Sequence, residues 1–319
     1  MTGWATWLVD GVLVTGIVGV AALALTVRDR VSAVALFVVF GLLVSAGYAR
    51  LAAPDIALAE AAIGAAVTGA LLLEAARPRT APDATRPPMP RSRAWTAGIV
   101  VAATGTAVLL AATAVQLLDR PAGRGLLDVV AEGIPDSGVA HPVTAVLLAF
   151  RAYDTLLEVV VLLVAALVAL ALLPGRDLAA VPPPAPPPAP LPFLVRVLVP
   201  VGVVVAGWLV FVGSYEPGGA FQGGTVLAGI LVLLWLSGRR PAVLRGAVLR
   251  WGLAIGTVLF LGVGIATLVL GGGLLDYGPA ATGLIIAIEV AIAGSVGVTL
   301  AALYLAEEPV PDREPGEGR

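Results

Sequence analysis

An ionisable side chain inside a long apolar run is where this sequence has material for chemistry, because placing one at the centre of a membrane span costs about 2.5–3.5 kcal/mol on insertion scales. Three groups qualify. The first lies in APDIALAEAAIGAAVTGALLL, residues 53–73. Asp55 follows Pro54, a residue suited to a first helical turn, and a carboxylate there meets the N-terminal dipole; capping and function both remain open to it. Glu60 lies nearly two turns in, with Gly64 and Thr68 at i+4 and i+8 on its face. Ala57, Ala61, Ala65 and Gly69 form an adjacent small-residue stripe that lets another helix approach closely. A carboxyl so placed can carry a proton; the alternative is that it only hydrogen-bonds a neighbouring helix. The second group lies in HPVTAVLLAFRAYDTLLEVVVLL, residues 141–163. Arg151, Asp154 and Glu158 stand at i, i+3 and i+7, within about 60° of one another on a helix. Arg151 can pair with Asp154, and repulsion between Asp154 and Glu158 favours a proton shared between them. A self-neutralised cluster near the membrane surface is the other reading. The third is Glu289 in LIIAIEVAIAGSVGV, with Ala293 and Gly297 on its face, a setting like that of Glu60. His141, immediately before Pro142, reads as a loop or cap residue and is assigned no role.

A fourth feature is YEPGGAFQGGTVLAGI, residues 215–230. Pro217, Gly218, Gly219, Phe221, Gln222, Gly223 and Gly224 make a sharp turn that permits very close backbone approach at the start of a helix, and tight helix packing accounts for it better than ligand binding. It is not a phosphate loop, since no Lys and Ser/Thr follow in the required order. Zero cysteines and one histidine exclude disulfides and thiolate metal sites and speak against a histidine-held metal or haem. No nucleophile–base pair or cofactor motif is present, so no catalytic residue, metal or cofactor is assigned and an enzyme in its own right is the least favoured reading.

The elements that must position these groups are membrane helices. The chain has 319 residues, 59% hydrophobic and 13% charged, with a mean hydropathy of +1.00; soluble domains carry about 25% charge. That composition excludes a water-soluble enzyme, a nucleic-acid binder and a disordered protein. Nine apolar runs are long enough to span, over approximately 7–27, 31–49, 54–76, 95–117, 142–173 (long, and broken near its start), 193–213, 219–237, 251–271 and 282–305. The fold class is therefore all-α, a polytopic membrane protein of about nine transmembrane helices. The first run carries Asp10 and lacks a basic leader region and a small-residue cleavage site, so it reads as a span rather than a cleaved signal. All 19 basic residues are arginines. Arg28, Arg30, Arg77, Arg79, Arg86, Arg91, Arg93, Arg176, Arg239, Arg240, Arg245 and Arg250 follow the odd-numbered spans, whereas only Arg50, Arg120 and Arg124 follow the even ones. This bias predicts an N-terminus outside and a cytoplasmic C-terminus. PPPAPPPAP at 182–190 reads as a polyproline linker between two parts.

The motifs then carry a resemblance. APDIALAEAAIG and PVTAVLLAFRAYDTLLE look like the MbhD-like and MbhE-like segments found in the C-terminal part of the Mrp antiporter A subunit and in membrane-bound hydrogenases. LPFLVRVLVPVGVVVAGWLVFVGSYEPGGAFQGGTVLAGILVLL, residues 191–234, is similar to the MnhB/MrpB family, the B subunit of multisubunit Na+/H+ antiporters, with Ala220 replacing a glycine of the family's PGGGFQGG turn. Two departures matter. Ala149 stands where the family has an aspartate before FRAYDT, so that carboxyl's role is absent or taken by Asp154 or Glu158, and Glu289 in AIEVA is the nearest match to a family aspartate in the last span. The resemblance implies residues 1–94 as an MbhD-like segment, 95–175 as an MbhE-like segment, 176–192 as a Pro-rich linker, 193–306 as an MnhB/MrpB-like domain and 307–319 as an acidic cytoplasmic tail. It implies an accessory subunit of a Mrp-type cation/proton antiporter in a bacterial cell membrane, with other Mrp subunits and the lipid bilayer as partners, Na+ and H+ as the ions moved, and no nucleic acid. Glu60, Asp55, Arg151, Asp154, Glu158 and Glu289 are the candidates for the ion path, with Glu60 the first choice and Glu158 and Glu289 the second and third. A membrane subunit of a hydrogenase-like or other respiratory complex, and a purely structural adaptor, are the alternatives. The chain carries no lysine, so the intramembrane lysines expected of large antiporter-like subunits are missing and exchange by this chain alone is not expected.

Overall fold

The computed structural model describes residues 3–76, 93–118, 125–172, 178, 181 and 190–307. The linker at 182–189, the arginine-bearing stretch at 77–92 and the tail from 308 lie outside the described residues. Among the described residues every regular element is helical, and the chain is an all-α polytopic membrane protein. Among the described residues eight helices are long and apolar enough to cross a membrane, and Ala220–Leu236 is a shorter apolar one, matching the nine runs read from hydropathy.

Residues Pro78–Val129 form one unit, and Met1–Arg77 with Val130–Arg319 form the other. The smaller unit holds α4 (Arg93–Leu118), whose described side chains at 97–116 are all exposed. The larger unit begins with α1 (Gly3–Thr26) and α2 (Arg30–Arg50). Asp29 caps α2 by accepting hydrogen bonds from the Ser32 amide (2.7 Å) and hydroxyl (2.6 Å), which hold its carboxyl below the usual aspartate range. Asp10 of α1 receives Nε and Nη2 of Arg50 at 2.9 and 3.2 Å, so the two helices are tied at one end.

The third span, α3 (Pro54–Ala76), is not one regular helix. Its middle, Glu60–Val67, is a π-helix between α-helical ends. The Thr68 hydroxyl donates to the carbonyl of Ile63, five residues back, at 2.8 Å. The π winding departs from a 3.6-residue period, yet the Glu60 carboxyl still lies over Gly64. The small-residue stripe is nevertheless used as expected: Ala57, Ala65 and Gly69 are buried where α3 packs on α2. A Cβ on Gly41 of α2 would lie 2.8 Å from the Ala65 Cβ, so the two backbones meet at a distance only glycine allows.

The fifth span is likewise interrupted. After α5 (Leu127–Ser137), α6 (Pro142–Ala145) runs into a π segment, Val146–Phe150, and stops at Arg151, with φ −128° and ψ 34°. The chain restarts as α7 (Ala152–Ala171). The Thr155 hydroxyl reaches back over the break to the Leu147 carbonyl at 2.6 Å, satisfying an acceptor that the lost helical register frees. The expected break is thus real. Arg151, however, sits at the break rather than on a helical face shared with Asp154 and Glu158.

The remaining helices are α8 (Pro190–Val212), α9 (Ala220–Leu236), α10 (Gly246–Val269) and α11 (Ala281–Glu307). α11 is the hub, packing against α9, α10, α7 and the end of α3. Ile285, Ile288 and Ile292 on it are fully buried. Lipid tails are as apolar as leucine, so helices associate here by close packing rather than by escape from water. The α9 crossing shows it: a Cβ on Gly224 would lie 2.7 Å from Val296 Cβ, and one on Gly297 2.8 Å from Leu227 Cβ.

Candidate functional site

The PGGAFQGG turn joins α8 to α9 and is built to bring backbones together. Gly213 follows α8, and a Cβ there would lie 2.7 Å from Gly219 Cα; one on Gly218 would lie 2.6 Å from the Leu209 carbonyl oxygen. Gly219 has φ 120° and ψ −173°, a conformation essentially restricted to glycine. This bend lets the Gly219 amide close on the Leu209 carbonyl (2.8 Å) while its own carbonyl accepts from Gly223 (3.0 Å) to start α9.

Polar groups from four other places converge on that turn. Asp55, at the first turn of α3, accepts a hydrogen bond from the Gly218 amide on Oδ1 (3.3 Å), and its Oδ2 lies 3.5 Å from His141 Nε2. The Asp55 and His141 side chains are 15% and 11% exposed. The His141 Nδ1 lies 3.5 Å from the Thr144 hydroxyl, which donates to the Gly213 carbonyl. The amides of Ala140 and His141 both donate to the Ser214 carbonyl, at 2.9 and 3.0 Å. The Ser214 hydroxyl donates in turn to Glu289 Oε2 at 3.5 Å, and the Ala220 amide also hydrogen-bonds this carboxylate. Glu289 and Ser214 are 2% and 1% exposed. A Cβ on Gly219 would sit 3.3 Å from Glu289 Oε1, so the bare glycine is what admits the carboxyl.

The result is a hydrogen-bonded chain from the starts of α3 and α6, through the turn, to a carboxyl eight residues into α11, about 12 Å along its axis. Its side chains include groups that can each hold a proton, an imidazole against a carboxylate at one end and a buried carboxyl at the other, while the links between His141 and Ser214 run through backbone amides and carbonyls. A cavity of about 700 Å³ lies among Asp136, Ala149, Phe150, Asp276 and Tyr277. The Tyr277 hydroxyl is buried without a hydrogen-bond partner, and burial pushes its ionisation up.

Of the residues singled out in the sequence, Asp55, Glu289 and the glycine turn are therefore brought together. The turn brings backbones close and also carries the polar network. Glu60 is not in this network: it is half-buried between α2 and α3, its carboxyl folded over Gly64, where a Cβ would fall 2.6 Å from Cδ. Arg151 and Asp154 form an ion pair with each other on an exposed surface, with Glu158 exposed beside them. The residues missed are His141, Thr144 and Ser214. The signal for His141 was its being the chain's one imidazole, directly before the proline that starts α6. Among the described residues no group of three His, Cys, Asp or Glu side chains is arranged to hold a metal ion.

Comparison with known proteins places both ends of this network. Residues 15–78 match the family model of MbhD, the D subunit of MBH, and residues 190–306 match the model of a domain related to the MnhB subunit of the Na+/H+ antiporter. No curated protein matches. In the solved structure of the Mrp complex from Dietzia sp. DQ12-45-1b, one chain aligns over 92% of this chain at 23% identity with a TM-score of 0.69. This chain spans 34% of that one. In the structure of the membrane-bound sulfane sulfur reductase, an archaeal respiratory membrane complex, a chain aligns over 65% of this chain and 96% of its own length, at 24% identity and a TM-score of 0.52. Asp55 thus lies in the stretch that matches the MbhD model, Gly218 and Glu289 lie in the stretch that matches the MnhB-related model, and the chain is a membrane protein that carries both.

Proposed function

We propose that this chain is an accessory membrane subunit of a multisubunit cation/proton antiporter, with Na+ and H+ as the exchanged ions, and that it contributes intramembrane carboxylates to the ion path. The observation that carries the reading is the Asp55–His141–Ser214–Glu289 network, which links the MbhD segment to the MnhB-related domain through hydrogen-bonding groups alone. Such groups relay protons or order water and perform no covalent chemistry, so the activity is transport by the assembled complex rather than catalysis. Glu289 is the first choice for a proton-holding group, with Asp55 beside the turn; Glu60, Arg151, Asp154 and Glu158 are further members of the path. Residues 95–175 are read as MbhE-like. The partners are the other subunits of a Mrp-type complex, and the setting is a bacterial cell membrane with the N-terminus outside.

The test is Glu289→Gln in the native complex. The amide keeps the carboxyl's shape and can hydrogen-bond Ser214 and Ala220, but it cannot ionise. The expected result is an intact complex whose cation-dependent proton movement in vesicles falls at least tenfold, while Glu289→Leu also loosens assembly. Normal exchange by an assembled Gln variant would leave Glu289 a packing residue and remove the basis of the proposal. The likeness to the sulfane sulfur reductase chain favours a second reading, a membrane arm that couples redox energy to ion movement. Purification of the native complex separates the two, since redox-enzyme subunits would co-purify only under the second.

A further inference from the structure

α7 carries a seam that the other described helices of its own unit leave uncovered. Asp154, Glu158, Val161, Ala165 and Val168 follow one another at steps of four, three, four and three residues, the spacing by which two helices interlock at a shallow angle. The opposite side of α7 is already used: Ala152, Leu156, Val159 and Ala166 are buried in the cores shared with α10 and α11. On the seam, Val161 is 67% and Val168 52% exposed, and Glu158 and Ala165 are exposed as well. Glu158 lies six residues past the start of α7 and thirteen before its end, about 9 and 20 Å along the axis, so it is within the span rather than at its mouth. The Arg151 guanidinium is taken up by Asp154. Among the described residues, no basic group pairs with Glu158.

We propose that this seam docks a transmembrane helix of another subunit, and that this helix presents a basic side chain to Glu158. Charge selects the occupant. A lipid tail offers no counter-charge at that depth, where an uncompensated carboxylate is costly. A second copy of this chain, inserted with the same orientation and related by a twofold axis, would set Glu158 against Glu158. The lower half of the seam suits a helix too, because Ala165 between two valines allows close approach. The inference rests on the proposed function only in taking the chain to be part of a multisubunit assembly.

The test exploits the absence of cysteine. Val161→Cys, and Val168→Cys two turns deeper, should react readily with a lipid-soluble maleimide in the isolated full chain and at least tenfold more slowly in the native complex. Equal rates in chain and complex would mean the seam faces lipid, and slow reaction in both would mean this chain covers its own seam; either overturns the proposal. Fast reaction of the complex with a charged, impermeant maleimide would reveal a water-filled cleft, and an oxidation-induced homodimer would reveal a second copy, each overturning it as well. For the charge, Glu158→Lys should lower co-purifying partner subunits at least tenfold while the isolated variant stays monodisperse, with Glu158→Gln intermediate. Assembly of Glu158→Lys at the wild-type level would exclude a basic partner. None of these readouts uses transport, so a complex that moves no cation would defeat the proposed function and leave the seam untouched.

Discussion

Glycine at position 219 and glutamate at position 289 depend on each other. Gly219 holds a backbone conformation that costs any other residue about 1–3 kcal/mol, and a methyl there would come within 3.3 Å of Glu289 Oε1. Gly219→Ala should therefore destabilise the purified chain by about that amount and displace the carboxyl from the Ala220 amide and Ser214 hydroxyl. Gly207→Ala, in α8 with nothing within 4 Å of a Cβ, should leave stability unchanged or slightly raised, since alanine is the better helix former. Thermal unfolding of the two variants in detergent, side by side, checks the claim: equal melting temperatures would mean the turn relaxes freely. The same residues explain why position 220 does not require glycine. Ala220 is already the first residue of α9 and is buried among apolar neighbours, past the position where positive φ is required.

The two π segments matter at the scale of the element, because each sits where a span must present polar groups without leaving the bilayer. In α3 the segment begins at Glu60, and its carboxyl is accommodated between Gly64 and Gly41. Gly41→Leu should separate α2 from α3, an overpacking cost of about 1–3 kcal/mol, whereas Gly19→Leu on α1, with no atom near a Cβ, should be silent; chymotryptic nicking of the α2–α3 connection reads the difference, and equal protection would refute it. Span positions were legible from hydropathy alone, since the bilayer demands about 20 apolar residues: 282–305 was expected and Ala281–Glu307 is found. A break was legible too, from the excess length of the 142–173 run, although it was expected near the run's start and lies at Arg151. The π winding at Glu60–Val67 was not, because a slip from i−4 to i−5 hydrogen bonding leaves no mark in residue type. Nor was the role of His141, whose partner Asp55 is 86 residues away in sequence and reaches it only because α3 and α6 start at one level beside the turn.

For the whole molecule, the order of spans places the network on one side of the membrane. The third, fifth, seventh and ninth spans all begin at the same surface if nine helices cross in turn, and Asp55, His141, the Gly218–Gly219 turn and the α11 end nearest Glu289 are where those spans begin. That is also the surface whose loops carry three arginines against twelve on the other side. The arginine bias therefore predicts a network that opens to the outside, with Glu289 about 12 Å inward. The prediction can be separated from any transport measurement because the chain contains no cysteine. Leu274, 49% exposed between α10 and α11, marks the network side, and Ala242, exposed between α9 and α10, marks the arginine-rich side. In intact cells an impermeant maleimide should label Leu274→Cys and spare Ala242→Cys, and permeabilisation should expose both. The reverse pattern would turn the molecule over, so that the network would draw its protons from the cytoplasm. Labelling of both sites in intact cells would mean that α10 does not cross, which its length of 24 residues and its apolar composition argue against.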